Sequence, residues 1–276
     1  MANEQTHPCA DLAPGDTLPS WSVTAVNDAR DSGNPIHEDD GAQRYGFGAG
    51  LVAGVTTFGY LLHPVVAALG SDFLRDGTSS IRLRSPVYAG EVLTVTARLA
   101  ARDAGGLRFE LEVRNPQQAL CAVGAAQWPA PVLAGTPLPP NAPLPSTRRA
   151  ATPEALRAAP VLGTLQVTQS AEEARQFADA AADKLDAYAG LVHPAWLLRQ
   201  ANILVDRSVA VGAWVHTASE VQHLGTAQAG ETVTVRGQVV ALFERKGHDY
   251  ADIDVFIEAR QPLMRVRHTA IFRMAS

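Results

Sequence analysis

Asn34-Pro35-Ile36-His37 is the segment of this chain whose residue types could do chemistry, and Asp31, Glu38 and Asp39 flank it closely. A histidine near its reference pKa can take up and return a proton around neutral pH. Carboxylates in the same turn can orient that imidazole or share a water molecule with it. The turn feeds a glycine-rich run, Tyr45-Gly46-Phe47-Gly48-Ala49-Gly50, and then an apolar helix predicted over 51–69. The backbone N–H groups at the start of a helix have no partner inside it and attract negative charge. A histidine, nearby carboxylates and a helix N-terminus aimed at one place suit acid/base chemistry on a carbonyl compound.

The other polar candidates weigh less. The glycine run contains no Gly-x-Gly-x-x-Gly and is followed by no Gly-Lys-Ser/Thr, so it is not a phosphate loop. Its glycines are positions of close backbone approach. Asp28, Glu38, Asp39 and Asp40 read as an exposed acidic loop. His63-Pro64 reads as a kink within the first helix. His216 and His223, seven apart on one predicted strand, should lie on opposite faces and form no metal pair. Asn202, His216 and Ser219 sit amid apolar residues and are expected to satisfy one another. His7 with Cys9 is an isolated pair that supports no zinc site, and Cys121 reads as a core residue.

The elements that must hold these residues occur twice. Half of the 18 prolines fall between Pro129 and Pro160, a density compatible with neither a ladder nor a helix. That linker, 129–160, separates an N-terminal domain, 1–128, from a C-terminal one, 161–276. The first half reads as a short strand (18–26), an irregular polar stretch, the apolar helix, and four strands over 80–87, 92–100, 107–113 and 120–128. Alternation is plain in Val92-Leu-Thr-Val-Thr-Ala-Arg-Leu, which indicates antiparallel strands with one wet face. The second half reads as a strand (164–168), a helix capped by Ser170 with Glu173 completing a capping box, and an apolar helix opened by His193-Pro194. Strands over 214–222, 232–243, 250–258 and 263–273 follow. A helix enclosed by a curled antiparallel sheet, duplicated, is an α+β tandem (double) hotdog fold.

Asn34-Pro-Ile-His37, the downstream Gly46-Phe47 and Leu51-Val-Ala-Gly54 resemble the MaoC-like (R)-specific enoyl-thioester hydratases and dehydratases. Their motif has the form D-x-N-P-[LI]-H, followed by Gly-Phe and an apolar stretch ending in His-Gly. The chain departs from it twice. Ser32 stands where the aspartate is expected, with Asp31 one position earlier, and Ala53 stands where the second histidine is expected. The resemblance covers the first half, and in the second it extends to element order. It implies reversible addition of water to a 2-enoyl thioester, a lyase reaction, with His37 as acid/base residue and Asp31 as its partner. Asn34 would position the loop or the substrate, and Gly54 would supply the oxyanion donor. Arg82 and Arg84 would either meet the phosphates of the carrier or face solvent. No cofactor is expected beyond the coenzyme A or phosphopantetheine that carries the acyl group. The expected partners are a small-molecule acyl thioester and an acyl carrier protein, and the assembly is a pseudo-dimer within the chain, open to further homodimerisation. An addition-type cyclase or thioesterase on the same scaffold, or a non-catalytic acyl-binding subunit, are the alternatives. Thioesterases of this fold usually carry a carboxylate on the central helix, and 51–69 contains none.

Composition agrees with this picture. At 276 residues, 46% hydrophobic and 18% charged, the chain suits two packed domains with a substantial core. A net charge of −5 gives no electrostatic reason to bind nucleic acid or an anionic membrane. The sequence shows no signal-peptide pattern and no unbroken apolar run of membrane-spanning length, and its two cysteines form no disulfide framework, so the cytoplasm is the expected location.

Overall fold

The computed structural model describes residue 9, residues 11–131 and residues 137–275. His7, the rest of the N-terminal segment before Cys9, and 132–136 of the proline-rich stretch lie outside the described residues.

The first half contains β1 (Trp21–Thr24), a 3-10 turn (Pro35–His37), α1 (Asp39–Arg44), α2 (Gly54–Leu69), α3 (Ser71–Asp76), β2 (Thr78–Leu83), β3 (Val92–Asp103), β4 (Gly106–Arg114) and β5 (Leu120–Trp128). The second contains β6 (Arg149–Ala150), α4 (Pro153–Ala158), β7 (Leu165–Thr168), α5 (Ala171–Ala180), a 3-10 turn (Asp186–Tyr188), α6 (Pro194–Ser208), β8 (Val209–Ala210), β9 (Val215–His223), β10 (Thr232–Arg245), β11 (His248–Glu258) and β12 (Pro262–Arg273). Within the proline-rich stretch, α4 starts at Pro153, a position where the missing N–H costs nothing.

Ten strands form one sheet in the order β1-β3-β4-β5-β2-β9-β12-β11-β10-β7, all neighbours antiparallel. Read from either edge, the order repeats element for element, so the two halves are related by a pseudo-twofold. They meet where β2 pairs with β9, from Thr78 opposite Gln222 to Arg82 opposite Ala218. The strands alternate as their sequences require: along β3, Leu93, Val95, Ala97 and Leu99 are buried.

The sheet wraps α2 and α6. Helix α2 has almost no wet face, and Phe58, Tyr60, Leu61, Leu62, Val65 and Val66 are wholly buried. Each such side chain contributes about 1.5–3 kcal/mol through removal from water. The helix continues through Pro64. A Cβ on Gly59 would lie 3.0 Å from the Ala195 methyl, so glycine there lets α2 approach α6 closely. This is the α+β double hotdog fold, one central helix per half inside a shared curled sheet. None of its helices, among the described residues, is long and apolar enough to cross a membrane.

Candidate active site between the two halves

The segment leaving β1 is pinned in front of α2 by hydrogen bonds to its backbone. Leu51 N–H donates to Ile36 O at 2.9 Å, Asn27 Nδ2 donates to His37 O at 2.8 Å, and Gly50 N–H donates to Asp39 Oδ1 at 2.8 Å. A Cβ on Gly50 would lie 2.4 Å from the His37 carbonyl oxygen, so the last glycine of the run is needed for this approach. Asp39, read as part of an exposed acidic loop, thus has a structural role.

His37 is buried, and its Nδ1 lies 2.8 Å from the Leu51 carbonyl oxygen. A carbonyl only accepts, so Nδ1 carries the proton and Nε2 presents a bare lone pair. Burial lowers the His37 pKa from its ordinary value; the Leu51 hydrogen bond and Asp28 raise it, and Arg199 lowers it again. The imidazole is therefore neutral at pH 7 and ready to accept a proton.

The carboxylate that acts on it is Asp28. Asp31, the expected partner, is exposed, in a turn that leaves it outside the cavities lined by His37. Asp28 accepts from the Thr56 hydroxyl at 2.7 Å and is ion-paired with Arg199, which reaches across from α6. The expectation of an exposed acidic loop fails at Asp28, whose side chain is 13% exposed, because that pairing draws it inward. The sequence carried a signal for this: an arginine within the apolar run 194–209 needs a buried or half-buried partner. Asn34 joins the halves, with Nδ2 donating to Trp214 O at 2.7 Å and Oδ1 accepting from Trp214 N–H at 3.3 Å.

Two cavities open on either side of His37. One, of about 170 Å³, is largely apolar and includes Phe47, Leu51, Leu83 and Val215, together with Gly54. The other, of about 310 Å³, contains Asp28, Asn34 and Arg199. His37, Ala53, Asn202 and Trp214 line both, so the cavities meet at the histidine. Arg84 lines the first cavity, just beyond the end of β2, whereas Arg82 is an exposed strand residue that lines neither.

Helix α2 begins at Gly54, and Ala53 before it provides no side-chain cap. Thr56 and Thr57 N–H donate to the Ala53 carbonyl at 3.0 Å, which leaves the Gly54 and Val55 N–H groups as the donors this terminus can offer an oxyanion. The glycine has a further reason: a Cβ there would lie 2.4 Å from Leu83 Cδ1 and 2.5 Å from His216 Nδ1.

In the second half a cavity of about 360 Å³ is lined by His193 and Asp183, but the helix terminus there is capped. His193 precedes α6, and its Nδ1 accepts the Ala195 N–H at 3.1 Å. Its Nε2 lies 3.2 Å from Asp183 Oδ2, while His63 Nδ1 lies 2.8 Å from Asp183 Oδ1. Burial raises the Asp183 pKa, but the hydrogen bonds from His193 and His63 outweigh it and leave the carboxyl below its ordinary value. Both ring nitrogens of His193 are used, so His193 offers no free base, and through Asp183 it ties His63 of α2 to the second half. Ala53 and His193 occupy equivalent positions with opposite effects: one opens a helix terminus and the other fills it.

One sequence expectation is corrected on β9. The β9–β12 register steps from Thr269–Ala218 to Ala270–His216, leaving Thr217 as an extra residue. The bulge restores His216 to the inner face, so His216 and His223 are both buried on the same side of the strand. Among the described residues, no group of three or more His, Cys, Asp or Glu is placed to hold a metal ion.

Sheet order, paired central helices and the cleft at their junction define a double hotdog protein. No protein-family model matches the chain, and no curated protein matches it in sequence. Solved structures do match along its whole length. A protein described as a MaoC domain dehydratase from Chloroflexus aurantiacus aligns with a TM-score of 0.68 at 13% identity, covering 99% of each chain. Rv0216 of Mycobacterium tuberculosis, described as having a double hotdog fold, aligns with a TM-score of 0.63 at 14% identity over 95% of this chain and 97% of its own. A protein described as a thioesterase from Novosphingobium aromaticivorans aligns at 0.54 and 11% identity over 92% and 96%. The chain shares the double hotdog fold of MaoC-like dehydratases.

Proposed function

We propose that this protein is an acyl-thioester hydratase/dehydratase of the MaoC-like class, adding water reversibly to a 2-enoyl thioester. The observation that carries the reading is His37, its Nδ1 committed to Leu51 O and its Nε2 left bare, lining the same cavity as Gly54 at the uncapped N-terminus of α2. In the hydration direction, water attacks C3 of the enoyl group as His37 Nε2 takes its proton. The electron pair of the C2–C3 double bond moves toward the thioester oxygen, where the Gly54 N–H stabilises the developing charge. Removing one such donor from an enzyme costs roughly 2.7–4 kcal/mol of transition-state stabilisation. The imidazolium then returns the proton to C2, giving the 3-hydroxyacyl thioester with all atoms accounted for. Asp28 supports the transient imidazolium, and Arg199 holds Asp28 in place while tempering its charge.

The first turn of α2, Gly54-Val55-Thr56-Thr57, bears no carboxylate, which favours hydration over thioester hydrolysis despite the thioesterase with the same fold. The reading includes a cytoplasmic enzyme whose substrate rides on coenzyme A or a phosphopantetheine carrier, and it assigns Arg84 to the carrier's phosphates. The test is water addition to crotonyl-coenzyme A, followed by loss of the enoyl absorbance, for wild type and His37→Ala. The expected result is turnover by the wild type and a loss of at least about 100-fold in the variant. Undiminished activity in His37→Ala overturns the mechanism.

A further inference from the structure

The cleft holds a second imidazole that the scheme above leaves unused. His216 is buried beside Gly54, and its proton position follows from a chain of hydrogen bonds. The Trp214 indole N–H can only donate, and it reaches Asn202 Oδ1 at 2.9 Å. His268 Nε2 lies 2.9 Å from the same oxygen and must also donate. Burial, and then His216, push the His268 pKa well below its ordinary value, so this ring is neutral and its Nδ1 is a bare acceptor. Ser219 O–H, 3.0 Å away, therefore donates to His268 Nδ1. A hydroxyl has one proton, so toward His216 Nε2, at 2.9 Å, Ser219 can only accept. His216 Nε2 thus carries a proton. Burial lowers the His216 pKa to about 4, the Ala218 backbone offsetting part of the effect, so the ring is neutral and Nδ1 is bare.

That Nδ1 is buried and has no hydrogen-bond partner in the protein. Buried acceptors are nearly always paired, and an unpaired one on a residue that lines a cavity calls for a donor on the ligand. His216, Gly54 and His37 line the same cavity of about 170 Å³. An enoyl thioester carries no donor on its acyl carbons. Water and the C3 hydroxyl of a 3-hydroxyacyl group do.

We propose that His216 Nδ1 is a specificity determinant contributed by the second half, accepting a hydrogen bond from the C3 hydroxyl of a 3-hydroxyacyl thioester or from the water that becomes it. The assignment rests on the hydratase reading for its substrate class. It gives the nucleophile a holder where the chain has Ser32 in place of an aspartate. The wiring through Ser219, His268, Asn202 and Trp214 keeps His216 an acceptor, so a ligand offering only acceptors at that spot is disfavoured.

The experiment is calorimetric binding of butyryl-coenzyme A and 3-hydroxybutyryl-coenzyme A to the full chain carrying His37→Ala, which prevents dehydration of the ligand. The hydroxyacyl thioester should bind at least about tenfold more tightly. Adding His216→Phe should abolish the difference between the two ligands. Ser219→Ala keeps the ring and frees its tautomer, so it covers the case in which His216→Phe fails to fold. It should reduce the preference, and ¹⁵N NMR of the histidine rings should show His216 changing from one tautomer to a mixture. Equal binding of the two ligands, binding of neither, or a preference undiminished by Ser219→Ala overturns the proposal. Crotonyl-coenzyme A turnover by the wild type judges the reaction separately. A His216-dependent hydroxyl preference without turnover retires the hydratase reading alone, and turnover without that preference retires the His216 assignment alone.

Discussion

Replacing Arg199 by methionine tests whether the pair it forms with Asp28 tunes His37. The two side chains are 22% and 13% exposed, so the pair is largely but not wholly withdrawn from water. Removing one partner of a fully buried pair costs about 3–5 kcal/mol, mostly because the remaining charge is stranded. Partial exposure and the hydrogen bond retained from Thr56 reduce this to about 2–3 kcal/mol for Arg199→Met. For a chain of this size that is a fall of about 5–10 °C in Tm. Asp28→Asn/Arg199→Met together should recover part of the loss, since no charge is then stranded. The pH profile supplies an independent sign. His37 works as a neutral base, so activity falls as pH drops through its pKa. Arg199 lowers that pKa and Asp28 raises it. Arg199→Met should therefore move the acid limb of kcat/KM to higher pH, and Asp28→Asn should move it lower. Thermal unfolding and the pH dependence of crotonyl-coenzyme A hydration read the two effects. Limbs that move the same way in both variants, or an Arg199→Met protein as stable as wild type, would refute the reasoning.

Three further outcomes are expected. Gly54→Ala places a methyl against Leu83 and the His216 ring; Leu83 can shift, but the wired imidazole cannot, so stability should drop by about 1–3 kcal/mol in urea unfolding, with kcat reduced as well. His193→Ala removes the α6 cap and one of the two partners of Asp183, which should cost about 2–3 kcal/mol. Because the reactive terminus is that of α2, kcat of the surviving folded protein should stay near wild type. Asn34→Ala deletes both hydrogen bonds to the Trp214 backbone and should lower stability by about 1–2 kcal/mol, with kcat falling more than KM rises because His37 loses its support.

What was legible in the sequence was what local chemistry decides. Strand β5 runs from Leu120 to Trp128 as its pattern requires, and the capping box of Ser170 and Glu173 forms with bonds of 2.7 and 3.2 Å. His37 was legible because Asn-Pro fixes a turn and the glycines behind it signal close backbone approach. Its electrostatic partner was not, since Asp28 and Arg199 are 171 residues apart and meet only when α6 packs on α2. His216 was misplaced for a different reason. Strand faces follow from parity, and the extra residue at Thr217 changes the parity of everything before it. Asp31 illustrates the converse error, in which proximity along the chain stands in for proximity in space.

The contrast between Ala53 and His193 fixes a stoichiometry. An assembly of two identical hotdog subunits would present two equal helix termini and bind two ligands. Here the two termini belong to one polypeptide, with one open and the other occupied by its own preceding side chain. Ligand titration should therefore saturate at one equivalent per chain. Each half has also become free to change without its twin: the first carries His37, while the second contributes Arg199, the Trp214 indole and the His216 imidazole.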